Sequence, residues 1–78
     1  MNYSAILVVA MPGEFDALRA RLASQPGVEV HYEDPAASRF VCTIEAADAD
    51  AAAERFAAVR LLPGAADASL LEERDEPD

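Results

Sequence analysis

Leu22-Ala23-Ser24-Gln25-Pro26-Gly27-Val28 and Val59-Arg60-Leu61-Leu62-Pro63-Gly64-Ala65 are two copies of one signal. Each is the end of an amphipathic helix, a Pro-Gly corner and the start of an apolar strand. Proline ends a helix because it lacks an N–H and its ring clashes with the preceding turn. The glycine beside it takes the left-handed conformation that turns the chain back. Ahead of each helix runs an apolar stretch, Ser4 to Ala10 and Arg39 to Glu45. The chain therefore reads β-α-β twice, which predicts an α+β split βαβ sandwich of the ferredoxin-like class. Right-handed crossovers then place both helices on one face of a four-stranded antiparallel sheet, with strands in the order fourth, first, third, second.

Within that frame the helices have clear phases. Phe15, Leu18 and Leu22 form one apolar stripe and Ala52, Phe56 and Val59 the other, with Asp48 as a predicted N-cap. The second strand alternates, with Val28, Val30 and Tyr32 inward and Glu29, His31 and Glu33 outward. In the third, Phe40, Cys42 and Ile44 point in, while Val41, Thr43 and Glu45 point out. The first strand is apolar on both parities. Its odd set (Tyr3, Ala5, Leu7, Val9) is assigned to the helices and its even set, including Ile6 and Val8, to the other side. The fourth is short, about Ala66 to Leu71, with Leu71 outward. These parities leave an open face with Ile6, Val8, Val41 and Leu71 at its centre. Glu29, His31, Glu33, Thr43, Glu45 and Asp67 lie around them. On this reading Val8→Glu spares the fold.

Composition narrows the function. The chain has 78 residues, a single small domain that buries about 60% of its extended-chain surface. The domain is expected over residues 4–71, with 72–78 as an acidic disordered tail. A net charge of −9 argues against nucleic acid and against an anionic membrane, and favours a cationic partner. The apolar run behind Met1 is too short to span a bilayer and lacks a signal peptide's positive region, so a cytoplasmic protein is expected. The lone cysteine, Cys42, allows no internal disulfide and fits a reducing compartment.

Catalytic chemistry is missing. His31 is the single histidine, and no Cys-x-x-Cys or metal-ligand spacing occurs. The loop at Pro12-Gly13-Glu14 carries neither the lysine of a phosphate site nor the arginine of an acylphosphatase. No enzyme, metal or cofactor is expected.

The residues also match a known pattern. Ile6-Leu7-Val8-Val9, a helix ending Leu-x-x-x-Pro-Gly, Val28-Glu29-Val30-His31, the run Arg39 to Ala46 and the second Pro-Gly unit together resemble the NapD family. The resemblance covers about Ser4 to Leu71. It departs at Ser69-Leu70-Leu71-Glu72-Glu73, where the family commonly has a Val-Tyr-His-like run, and after the second Pro-Gly, where Ala65-Ala66-Asp67 is less apolar.

The resemblance implies a cytoplasmic chaperone for the catalytic subunit of periplasmic nitrate reductase. Such a chaperone binds the subunit's twin-arginine signal peptide and delays export until the cofactor is loaded. On the open face read from the strand parities, the expected site of such a monomeric chaperone is Ile6, Val8, Val41, Thr43 and Leu71 for apolar contact, with Glu29, His31 and Glu45 as the polar surround. The alternative is a small ACT-like regulatory or assembly domain that binds a small ligand at a homodimer interface, with the open face as the dimer contact. Sedimentation separates the two.

Overall fold

The computed structural model describes residues 1–77. Six elements follow in the expected order: β1 (Asn2–Ala10), α1 (Phe15–Ala23), β2 (Val28–Asp34), β3 (Arg39–Ala46), α2 (Ala49–Arg60) and β4 (Ala65–Asp75). All strand pairs are antiparallel and the sheet order is β2-β3-β1-β4, the ferredoxin-like arrangement. The Asp48 carboxylate accepts the Ala51 N–H at 2.8 Å and caps α2. Leu18, Leu22, Ala52 and Val59 are buried from the helix side, with Phe15 and Phe56 packed partly against them.

The two Pro-Gly corners are locked reciprocally. Arg21 on α1 donates through Nη1 to the Pro63 carbonyl at 2.7 Å, and Arg55 on α2 donates to the Pro26 carbonyl at 2.7 Å. Each glycine carbonyl then accepts an amide from the other half: Gly27 from Glu45 and Gly64 from Met11, both at 2.8 Å. Gly27 has φ +74°, and a Cβ there would collide with the Glu45 carbonyl oxygen. Only glycine fits that corner.

The structure departs from the sequence expectation in three strands. First, the parity of β1 is inverted. Ile6 and Val8 are fully buried against the helices, and the odd residues Tyr3, Ala5, Leu7 and Val9 face the open side, half-buried. Both parities are apolar, so the pattern carries no phase; the phase comes from pairing, which sets Ile6 opposite Cys42 and Val8 opposite Phe40. Opposed residues share a face. The polar members of the buried set, Asn2 and Ser4, are hydrogen-bonded, Ser4 Oγ donating to Asn2 Oδ1 at 3.3 Å.

Second, β2 slips by one residue at His31. Val30 opposes Cys42, yet Tyr32 opposes Val41. This bulge turns Tyr32 out, 57% exposed, and brings Glu33 to the helix side. There Glu33 pairs with Arg19 Nε at 2.7 Å. Arg19 lies 5.2 Å from the Phe15 ring centroid, and Phe15 stacks on Phe40 with centroids 4.3 Å apart. The outward placement of Glu33 and the inward placement of Tyr32 are therefore both replaced.

Third, β4 is longer than its sequence suggests. Residues 72–75, expected as the start of a loose tail, continue the strand along β1, with Ala5 opposite Glu72 and Asn2 opposite Asp75. Asn2 Nδ2 donates to Glu73 and Asp75 at 3.2 and 3.1 Å, and the Met1 amine to the Glu76 carbonyl at 2.8 Å. These bonds replace the apolar contacts that an acidic strand cannot make. Position 78 of the expected tail lies outside the described residues.

The packing gives three expected outcomes. Val8→Glu puts a carboxylate into the core at a cost of several kcal/mol, comparable with the whole stability of a small domain. Circular dichroism should show it unfolded, while Leu7→Gln melts within about 1 kcal/mol of the parent; equal melts would contradict the parity. Arg21→Met and Arg55→Met should each lose about 1 kcal/mol in urea titrations, and together the sum, since the corners share no hydrogen-bond partner. Burial alone pushes the Cys42 thiol up to about 11. The folded protein should therefore resist thiol-disulfide reagents at neutral pH and react only when guanidinium opens it.

Candidate functional site

With the helices covering one side, the other side of the sheet lies open, and register fixes its layout. Tyr32, Val41, Leu7 and Ser69 form one cross-strand row. Toward the chain start lie Glu29, Thr43, Ala5 and Glu72, then Glu45, Tyr3 and Arg74. On the far side lie Asp34, Arg39, Val9 and Asp67. The result is an apolar middle of Leu7, Val9 and Val41, with Tyr32 and Tyr3 beside it and carboxylates at its margins.

Of the residues singled out from sequence, Val41, Thr43, Glu45 and Glu29 lie on this face. His31, the bulged residue, joins them by a 2.7 Å hydrogen bond between Nε2 and Thr43 Oγ1, with Glu29 3.8 Å away. Ile6 and Val8 do not, because neither has accessible surface. Leu71 is the unpaired residue of a second bulge, between Leu70 opposite Ile6 and Glu72 opposite Ala5, and is 56% exposed at the edge strand. Sequence reading missed Leu7, Val9, Tyr32 and Glu72. Inverting β1 would have recovered Leu7 and Val9. The bulge that exposes Tyr32 interrupts an unbroken alternation and leaves no mark in it.

The electrostatics of the face come from unpaired acids. Asp34 is held by Arg39 at 3.4 Å, and Arg74 by Glu76 at 3.1 Å. Glu45 and Glu72 form no ion pair among the described residues. Among the described residues no three His, Cys, Asp or Glu side chains are grouped to hold a metal, and no helix is long and apolar enough to cross a membrane.

Two solved structures share this architecture. The solution structure of the E. coli Tat proofreading chaperone protein NapD superposes with a TM-score of 0.85 at 23% identity, covering 95% of this chain and 78% of that one. The crystal structure of a putative antibiotic biosynthesis monooxygenase from Chloroflexus aurantiacus J-10-fl gives 0.51 at 24% identity, over 95% of this chain and 89% of that one. At these identities both likenesses concern the fold alone. No curated protein sequence matches significantly. The sequence model of the family described as NapD protein matches residues 1–76, nearly the whole chain, and on that match the chain belongs to the NapD family.

Proposed function

We propose that this chain is a cytoplasmic maturation chaperone, monomeric and without catalysis of its own. It binds the twin-arginine signal peptide of the catalytic subunit of periplasmic nitrate reductase and delays export until the cofactor is loaded. Family membership supports the role, and the E. coli protein of like fold carries the name of a Tat proofreading chaperone. The observation that carries the binding reading is the open sheet face. A twin-arginine signal joins a cationic segment to an apolar one, and the face joins the Glu45 and Glu72 carboxylates to Leu7, Val9 and Val41.

Magnitudes divide the work between the two halves. Covering about 300 Å2 of apolar area is worth roughly 7 kcal/mol before ordering costs. Each guanidinium on a part-exposed carboxylate adds about 0.2–1 kcal/mol. A flexible peptide loses much of that sum on ordering, which leaves an affinity on the order of micromolar. Charge then governs the on-rate and its salt dependence, and apolar contact the residence time. Val41, Thr43, Glu29, His31, Glu45 and Leu71 keep their proposed roles. Leu7 and Val9 take the places given to Ile6 and Val8.

Calorimetric titration with the nitrate reductase signal peptide tests this, beside a peptide in which both arginines are glutamine. Binding near micromolar that weakens with the glutamine peptide and with added salt is expected. Leu7→Gln should weaken it about tenfold with the fold retained. No heat at high micromolar peptide would remove the function, and sedimentation of a dimer would then favour a covered face and a small-ligand domain.

A further inference from the structure

The open face differs along the length of β1. Its apolar side chains, Leu7, Val9 and Val41, occupy the half nearer the end of that strand. At the other half the small Ala5 side chain leaves a depression of about 200 Å3, walled by Tyr3, Thr43, Glu72 and Arg74. Free negative charge gathers at this same half. Among the described residues Glu72 and Glu45 form no ion pair there, whereas at the opposite end Asp34 is engaged by Arg39 and Asp67, which accepts the Ser69 hydroxyl at 3.4 Å, is the single acid of its row without an ion pair. Arg74 stands in the depression wall, but its charge is met by Glu76 at 3.1 Å.

We infer that the depression over Ala5 seats a guanidinium of the peptide's arginine pair and thereby fixes the direction in which the peptide lies. The arginines sit over the Tyr3–Ala5 half and the apolar segment over Leu7 and Val9; this rests on the peptide-binding reading above. The chemistry suits arginine over lysine. A guanidinium is planar, weakly hydrated on its faces and rich in edge donors, so it can lie against the Tyr3 ring while donating to the Glu72 carboxylate. A compact ammonium gains little from the ring wall and holds its water. Glu72 is in place because Asn2 and the Met1 amine tie the acidic end of β4 to β1. The stretch that looks like a tail thus builds one wall of the seat.

Position, as opposed to overall acidity, is what the test must read. Glu72 and Asp67 lie opposite Ala5 and Val9, four residues apart along β1 and so about 13 Å, beyond the Debye length of about 8 Å at physiological salt. Glu72→Gln, Arg74→Gln and Asp67→Asn are titrated at that salt with the twin-arginine peptide and with its glutamine counterpart. Expected are about fivefold weaker binding for Glu72→Gln, about twofold tighter binding for Arg74→Gln and less than twofold change for Asp67→Asn, all three effects vanishing with the glutamine peptide. The opposite signs at neighbouring positions exclude simple damage to the strand. Equal weakening by Glu72→Gln and Asp67→Asn would overturn the seat and leave peptide binding standing. Failure of the parent protein to bind the twin-arginine peptide would remove the peptide-binding reading and the seat with it.

Discussion

The fold depends on the reciprocal lock at its two Pro-Gly corners. Each corner ends one helix, and each is held by an arginine from the helix of the other half and by an amide at the end of the other half's first strand. Neither half can close its corner alone. A domain this small has little core with which to orient two βαβ units, so directional hydrogen bonds between the halves do part of the work that burial does in larger proteins. The glycine at the first corner has no substitute, because its backbone lies against the Glu45 carbonyl at a positive φ.

With the halves interlocked, both helices lie on one side, and the sheet's other side is left without a layer. Its character follows from pairing. Phe40, Cys42 and Ile44 draw the even residues of β1 into the core, which delivers the apolar odd residues to the open face. A single extra residue at His31 does the same for Tyr32 and sends Glu33 under α1 to Arg19. The acidic end of β4, held by Asn2, completes the margin with Glu72. An apolar centre with the Glu45 and Glu72 carboxylates at one end is the product of three local choices, one in each of β1, β2 and β4.

The element order, the sheet order and the helix stripes were legible in the sequence because each has a strong local signal: Pro-Gly punctuation, a period of 3.6, an N-cap at Asp48. The phase of β1 was not, since Ile6-Leu7-Val8-Val9 is apolar on both faces and only cross-strand partners choose between them. Val41, Thr43, Glu45 and Glu29 were placed on the correct face by clean alternation. Tyr32 and Glu33 were misplaced because a bulge costs no residue pattern, and Glu72 was overlooked because a charged strand end is stabilised by buried amide and terminal groups whose partners lie some seventy residues away. The family resemblance was legible from order and spacing taken together, and the match over residues 1–76 bears it out.

The most direct test of the account is methyl chemical-shift mapping of the full chain as the twin-arginine peptide is added. The methyls of Leu7, Val9 and Val41 should shift first and most, with those of Ile6, Val8 and Leu18 moving little behind them. Shifts centred on α1 and α2, with the Leu7, Val9 and Val41 methyls unmoved, would contradict the claim that the open sheet face holds the peptide.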